Sequence, residues 1–289
     1  MDFIQFARAH GVEIDRLIDD GRWHRCKTID KPRHRNGAYC FRGDVGWVQD
    51  WATMLEPDVW RPDNPATVKV DRAAVQERAS EARRKILEAQ RKAAARAKEI
   101  IQSCGYGLHP YLAAKGFPEV EGYIWRDGDD DKLIIPMRVG EMLVGLQAIS
   151  GKDGHEKRFL YGQRIDGATF TIGRPGPRTT TFYCEGYATG LSVRDALQAL
   201  KVPYVLHVCY SAGNMVKVAK ERGPGIVIAD YDKPSKQVPE QGGMGWKVAR
   251  DIGGKFWTSD VEGEDANDFN RRRGLFALAQ GIKLVMLRK

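Results

Sequence analysis

The sequence predicts an α/β protein whose C-terminal part forms a mostly parallel, Rossmann-like sheet. Apolar runs at residues 181–184, 204–209 and 225–229, and a weaker one at 255–258, are separated by helical patterns. This alternation is typical of parallel strands whose connecting helices cover both faces of the sheet. The three helical patterns lie at residues 188–200, 214–222 and 245–252.

The rest of the chain divides into three further segments by composition and pattern. We predict a small β-rich module at residues 1–64, a long helical linker at 65–103, and a mixed α+β subdomain at 104–178, which precedes the parallel-sheet domain at 179–289. A chain of 289 residues is long enough for about two compact units and a linker.

The N-terminal module is predicted to be a small antiparallel sheet. A short helical pattern at residues 3–10 ends at Gly11, and aromatic stretches follow at 23–26, 38–41 and 46–48. Short runs of this kind, separated by glycine, are typical of hairpins.

The clearest helix is predicted at residues 71–103. Apolar side chains recur at steps of four or three, which places them along one seam of a helix. The seam consists of Val75, Ala79, Ala82, Ile86, Ala89, Ala93, Ala97 and Ile100. Glu81 and Lys85 are spaced for a favourable ion pair. The basic residues on the other faces indicate either a solvated linker or a surface that contacts phosphates.

Charge and cysteine content limit the classes of function. The net charge of +8 and a pI of about 9.2 favour polyanionic partners. No apolar run is long enough for a transmembrane helix, and residues 1–10 lack the apolar stretch of a secretory signal, so we expect no membrane association and a cytoplasmic location. The five cysteines include no Cys-x-x-Cys pair, which predicts reduced thiols.

Acidic residues follow two of the predicted parallel strands. Glu185 follows the first strand, Asp230 and Asp232 follow the third, and an acidic loop at residues 262–268 comes near the last. Because ligands of such sheets bind at the carboxyl ends of the strands, we expect these carboxylates to converge. Grouped carboxylates repel one another unless they are protonated or bind a hard cation. The pattern therefore predicts Mg²⁺ or Mn²⁺, as two ions that assist phosphoryl transfer.

These segments resemble the Toprim motifs of plasmid and phage DNA primases. Residues 184–192 (CEGYATGLS) resemble the first motif, residues 230–232 (DYD) the second, and residues 263–269 (GEDANDF) the third. Asn267 stands where bacterial chromosomal primases usually have the second acid of Asp-Pro-Asp. The division of roles among Asp265, Asn267 and Asp268 is therefore open.

Upstream segments extend the resemblance to the primase core. Residues 109–116 (HPYLAAKG), 132–137 (KLIIPM), 145–147 (GLQ) and 157–160 (KRFL) are similar to the subdomain that precedes the Toprim domain in that family. The resemblance thus spans about residues 103–289 and implies a Toprim domain preceded by a primase-core subdomain.

The resemblance also implies roles for individual residues. Glu185 would be the acid–base residue, and Asp230 and Asp232 would share the catalytic role. The metal ligands would be Glu185, Asp230, Asp232, Asp265 and Asp268. The residues expected to bind nucleotide or nucleic acid are Lys132, Arg138, Lys157, Arg158 and Lys233.

In this family an N-terminal zinc ribbon often contacts the template, and residues 1–64 resemble that module. The histidines and cysteines between residues 21 and 51 are His24, Cys26, His34 and Cys40, without the usual Cys pairs, so we do not expect Zn²⁺. We expect an aromatic core made of Trp23, Tyr39, Phe41, Trp47 and Trp51. Exposed members of the module would contact template bases, with Arg22, Trp23, Arg25 and Tyr39 as the candidates.

The leading hypothesis is a DNA primase, a DNA-directed RNA polymerase that makes short RNA primers on single-stranded DNA in phage or plasmid replication. Its expected partners are the template, ribonucleoside triphosphates and a separate helicase or replication initiator, because the sequence has no GxxxxGK[ST] motif. The alternatives are a Toprim-type metal-dependent nuclease and a non-catalytic replication accessory that binds single-stranded DNA.

Overall fold

The computed structural model describes residues 1–54, 56–62, 72–152, 154, 156–235 and 238–288. The chain forms two compact units, one of residues 1–88 with 235–239 and the other of residues 89–234 with 240–289. The described residues form three five-stranded sheets, one in the first unit and two in the second. The fold is therefore mixed α/β, and the segment boundaries at 64, 103 and 178 stay predictions. None of the helices in the described ranges is both long and apolar enough to cross a membrane.

The first unit contains an antiparallel sheet with strand order β1-β2-β3-β4-β5 and one short helix. Its elements are α1 (Phe3–Ala9), β1 (Val12–Glu13), β2 (Trp23–Thr28), β3 (Gly37–Arg42), β4 (Val45–Asp50) and β5 (Asp58–Trp60). Asp2 caps α1 by accepting the backbone N–H of Gln5 at 2.8 Å, and Gly11 follows the helix with a φ of 74°. The predicted helix and hairpins are confirmed.

The core of the first unit forms around Phe3. Its ring stacks on Phe41 at 4.9 Å between centroids and lies 5.7 Å from Trp60. Gly46 lies against this ring, and a Cβ there would come within 2.2 Å of Phe3 Cε2. The expected aromatic core is wrong for Trp23 and Trp51, which are 47% and 46% exposed. Trp23 is the first residue of β2 and Trp51 follows the last residue of β4, so both lie at strand ends and not in the middle of the sheet.

The predicted long helix is confirmed as α2 (Arg72–Ser103). Its seam is buried in the C-terminal part, where Ala93, Ala97 and Ile100 are at most 4% exposed. Ala97 and Ile100 pack on Ile134 and Leu146 of the second sheet. Ile86 is 37% exposed, so the seam is not continuously covered.

The second sheet is antiparallel, with strand order β10-β9-β8-β7-β6. Its strands are β6 (Gly105–Leu108), β7 (Glu121–Asp127), β8 (Asp130–Val139), β9 (Met142–Ser150) and β10 (Lys157–Phe159), with α3 (Pro110–Ala114) between the first two. Side chains alternate along β8: Ile134 faces α2, whereas Leu133 and Ile135 belong to the core that includes α3.

The third sheet has strand order β11-β13-β12-β14-β15, with four parallel strands and an antiparallel edge strand β11. Its strands are β11 (Phe170–Gly173), β12 (Thr180–Cys184), β13 (Tyr204–Val208), β14 (Ile226–Ile228) and β15 (Phe256–Trp257). The helices are α4 (Tyr187–Ala199), α5 (Ala212–Arg222), α6 (Gly243–Ile252), α7 (Ala266–Arg273) and α8 (Leu275–Leu287). Helices α4 and α8 pack on one face and α5 and α6 on the other, as the alternating pattern predicts.

Candidate active site

The acidic residues lie at the carboxyl end of the third sheet. Strand β12 ends at Cys184, directly before Glu185, and β14 ends two residues before Asp230. These two strands are parallel neighbours, with Tyr183 opposite Val227. The loops that carry Glu185 and Asp230 therefore leave the sheet side by side, as the sequence predicts.

A glycine-rich helix start holds the second acidic motif. The backbone N–H of Gly245 donates to Oδ2 of Asp232 at 2.9 Å, and Asp232 forms a bridge with Gly242. A Cβ on Gly245 would come within 2.1 Å of the carbonyl oxygen of Asp230. Only glycine lets α6 begin this close to the acidic loop.

The third acidic loop is joined to the second by backbone hydrogen bonds. Tyr231 N–H donates to the carbonyl of Glu264 at 3.0 Å, and Gly263 N–H donates to the carbonyl of Tyr231 at 2.6 Å. Asp265 then caps α7 by accepting the N–H of Asp268 at 2.8 Å. Its other oxygen accepts the hydroxyl of Thr189, on α4, at 3.2 Å.

The pKa values show that the acids affect one another. Burial raises the pKa of Asp230 well above its usual range, and the charges of Asp265, Glu185 and Asp232 raise it further, while Lys157 opposes them. Burial and Asp232 also raise the pKa of Glu185, which Lys157 and the N–H of Ala212 at the start of α5 oppose. Four carboxylates from three loops thus share one electrostatic environment.

The donor chemistry of this cluster suits a hard divalent cation. All four groups offer carboxylate oxygens, which Mg²⁺ and Mn²⁺ prefer. Oδ1 of Asp230 is buried and, among the described residues, has no hydrogen-bond partner. Within the same residues, no three His, Cys, Asp or Glu side chains are arranged closely enough to hold a single ion. The cluster therefore offers carboxylate oxygens that suit Mg²⁺ or Mn²⁺, but these oxygens do not surround a single point.

Asn267 and Asp268 occupy different surroundings from Asp265. Asn267 is fully buried, and its side-chain amide donates to the carbonyl of Lys115 at 2.9 Å and to the hydroxyl of Ser192 at 3.1 Å. It therefore ties α7 to α4 and to the residue after α3. The Asp268 side chain is 42% exposed, with Lys115 Nζ 4.0 Å away. Its role as a metal ligand stays a prediction.

The predicted basic residues are not all beside the acids. Lys157, on β10, acts on the pKa values of Glu185 and Asp230. Lys132 forms an ion pair with Asp127 and lies 5.7 Å from the centre of the Trp125 ring. The remaining three are exposed: Arg138 donates to the carbonyl of Glu141 at 2.9 Å, Arg158 forms an ion pair with Glu156, and Lys233 follows the second acidic motif.

The candidate template residues of the first unit differ in exposure. Trp23 is 47% exposed, and the guanidinium of Arg25 lies 5.6 Å from the centre of the Trp51 ring. Arg22 is partly exposed. The expectation for Tyr39 is wrong: it is 3% exposed, so its ring cannot stack on a base. Its hydroxyl donates to the carbonyl of Arg16 and accepts the N–H of Ile18.

The two cysteines considered as zinc ligands lie on opposite faces of their sheet. Cys40 is paired with Trp23, so these two residues share a face. Cys26 lies three residues after Trp23 on the same strand and therefore faces the other side. The ring of His24 is already hydrogen-bonded to Asp20 at 2.8 Å. These candidate zinc ligands therefore do not surround a single point at which an ion could bind.

Two features near the site were not predicted from the sequence. Thr189 contacts Asp265, and the Ala212 N–H contacts Glu185. The position of Thr189 was the available signal, because it lies in the first turn of α4, which begins at the carboxyl end of β12.

The chain matches no family model and no curated protein. It is similar to a chain in the structure of bacteriophage T7 lagging-strand DNA polymerase interacting with primase domains of two gp4 subunits bound to an RNA/DNA hybrid and dTTP. The identity is 15%, the match covers 64% of this chain and 92% of that chain, and the TM-score is 0.41. A DNA primase domain from Pseudomonas aeruginosa is also similar, with 15% identity, 57% of this chain and 53% of that chain covered, and a TM-score of 0.37. Both are distant structural similarities.

Proposed function

We propose that this protein is a Toprim-type DNA primase that makes short RNA primers on single-stranded DNA. The observation that carries the proposal is the shared environment of Glu185, Asp230, Asp232 and Asp265, which come from three loops at one end of a parallel sheet. Charge concentrated at such a point suits nucleotidyl transfer, where negative phosphate oxygens need cations held in fixed positions.

Glu185, Asp230, Asp232 and Asp265 would hold one or two Mg²⁺ or Mn²⁺ ions in this proposal. When bound, such an ion neutralises negative charge on the phosphate that is attacked. The unpartnered Oδ1 of Asp230 supports this assignment, because a buried carboxylate oxygen without a donor is costly unless a cation binds it.

The chain's own residues would perform the remaining steps. The raised pKa of Glu185 makes its carboxylate a better acceptor for the proton of the attacking 3′-hydroxyl. Lys157 would contact the phosphates of the incoming ribonucleotide. Among the predicted basic residues, its charge is the one that lowers the pKa values of both Glu185 and Asp230. In the first unit, Trp23 and Arg25 would contact bases of the template.

The biological setting is part of the same proposal. The template would be single-stranded DNA in phage or plasmid replication inside a bacterial cell, and a separate helicase or initiator would expose it. The net charge of +8 supports a nucleic-acid partner, because binding releases the counterions of the phosphates.

Priming on short single-stranded templates with labelled ribonucleotides tests the proposal. We expect primers in Mg²⁺ or Mn²⁺, and a loss of at least about a hundredfold for Asp230→Ala, as for other charge-stabilising groups. The matched control is Asp251→Ala, which removes an acid of α6 that pairs with Lys247.

The assay also distinguishes the alternatives. Template degradation without primers would favour a nuclease that uses the same acids. Template binding that Asp230→Ala leaves unchanged, with no product of either kind, would favour a non-catalytic accessory and contradict the proposal.

A further inference from the structure

A second concave site lies in the second unit, along the edge of the third sheet. It is a cleft of about 670 Å³ beside the edge strand β11. Thr181 and Val205, from the amino-terminal halves of β12 and β13, line it. Glu185 follows Thr181 by four residues, which is roughly 13 Å along an extended strand. None of the four acids of the candidate active site lines the cleft as the structure describes it.

The cleft has an excess of positive charge. Arg138 from β8, Arg174 after β11 and Arg222 in the last turn of α5 line it, and Glu141 is the acid among the described lining residues. Arg174 and Arg222 form no ion pair with any residue that the structure describes. Arg174 and Arg222 therefore line the cleft outside any ion pair of the described residues, although the carboxylate of Glu141 belongs to the same lining.

Helix stabilisation does not account for this charge. Arg222 at the end of α5 interacts favourably with the helix dipole, as any cation in a last turn does. Arg174 follows a strand and has no such partner. Their common feature is the cleft that both line.

The floor of the cleft adds neutral polar groups. His207 is 4% exposed, and its Nδ1 lies 3.0 Å from the hydroxyl of Thr171 on the neighbouring strand. Burial and, second, the charge of Arg222 lower the pKa of His207 to about 4, so the ring is neutral near pH 7. The hydroxyl of Thr169 lies 3.4 Å from that of Thr171. These groups can exchange hydrogen bonds with an oxygen-rich ligand without repelling it.

We propose that this cleft binds a polyphosphate chain, either that of a nucleotide or a free one. Guanidinium groups donate in a fork that fits phosphate oxygens, and the cleft volume lies within the usual range for small-ligand sites. Arg174 and Arg222 contact the phosphates, and the His207–Thr171 pair lies at the floor. The proposal does not depend on the proposed primase activity, because the acids that carry that activity are elsewhere.

Calorimetry with ATP and with tripolyphosphate, in EDTA and at low salt, tests the proposal. EDTA removes the divalent ions that nucleotide binding at the acidic cluster would need. We expect the wild-type chain to bind, and Arg174→Glu with Arg222→Glu to weaken binding by at least about tenfold, since hydrogen bonds to charged groups are lost. The matched control is Lys220→Glu with Lys283→Glu, which changes the net charge equally at exposed positions outside the cleft.

The two probes distinguish the sources of the phosphate. ATP binding without tripolyphosphate binding identifies a nucleotide, and equal binding identifies a free polyphosphate chain. If the glutamate variant does not fold by circular dichroism, Arg174→Gln with Arg222→Gln replaces it, with the same expectation.

Three results would overturn the proposal. They are no binding by the wild-type chain, equal loss in the matched control, and loss of binding in Asp230→Ala but not in the cleft variants. The priming assay in Mg²⁺ measures the other site separately, so failure of one proposal does not imply failure of the other.

Discussion

At the scale of single residues, the buried carboxyl group of Asp230 lowers stability when it is charged, and it also offers an oxygen donor to the proposed cation. One of its oxygens is buried without a partner among the described residues, and three other carboxylates act on it. A folded-state pKa above the unfolded one means that the folded chain binds the proton more tightly. Stability therefore falls as pH rises above the ordinary carboxyl range, in the absence of a bound cation.

Replacing Asp230 by Asn separates these effects. We expect Asp230→Asn to raise the free energy of unfolding at pH 7 by about 1–3 kcal/mol without divalent ions, because the amide removes a buried charge. Its stability should also decrease less with rising pH than that of the wild-type chain, with a smaller decrease left from Glu185, whose pKa is raised by burial. Priming should be lost. Denaturant unfolding at several pH values checks this, with Asp251→Asn as the surface control. A less stable Asp230→Asn chain would contradict the account.

Some residues of the site could be predicted from the sequence and others could not. Glu185, Asp230 and Asp232 could be predicted as a group because each follows an apolar strand, and the order of such strands fixes where they end. Asn267 and Tyr39 could not be assigned, since their burial depends on contacts with distant residues, Lys115 and Ser192 for Asn267 and Arg16 for Tyr39. Local pattern carries no information on these partners.

At the scale of elements, the site depends on how closely α6 approaches the acidic loop. The helix begins against the backbone of Asp230, and its third residue, Gly245, donates to Asp232. The alternating strands and helices of this region were predictable from periodicity. The close approach was not, because it depends on three-dimensional packing and not on the apolar pattern.

Gly245→Ala tests that approach. A Cβ there would meet the Asp230 carbonyl oxygen at 2.1 Å, so the helix or the acidic loop must move. We expect priming to fall by at least about tenfold, since small displacements of catalytic groups are costly. Gly105→Ala is the control, because a Cβ at that position meets nothing within 4 Å. Equal activity of both variants would show that the position of α6 does not matter.

At the scale of the whole molecule, the two units present different chemistry. The second unit carries the acidic cluster and the arginine cleft, while the first presents exposed aromatic and basic side chains on a small sheet. The net charge and the aromatic content of the sequence predict a nucleic-acid partner, and this stays a prediction. The sequence pattern also predicted a buried position for Trp23 and Trp51, because it does not show that these two residues lie at strand ends.

Trp23→Ala tests template contact by the first unit. We expect weaker binding of single-stranded DNA by about 1–3 kcal/mol, the range for loss of one stacked base, and binding that falls as salt rises. Fluorescence anisotropy with a labelled oligonucleotide measures both. Tyr39→Phe is the control: it removes a buried hydroxyl, so DNA binding should persist. Weaker DNA binding by Tyr39→Phe, together with unchanged binding by Trp23→Ala, would contradict the assignment of Trp23 as a template contact.

In the proposed active site, acids from separate loops bind one or two divalent cations together. Anomalous diffraction from crystals of the full chain soaked in Mn²⁺ would locate these ions. We expect manganese peaks within coordination distance of Glu185, Asp230, Asp232 and Asp265. Manganese bound only elsewhere, or no peak at these carboxylates at saturating Mn²⁺, would contradict this proposal.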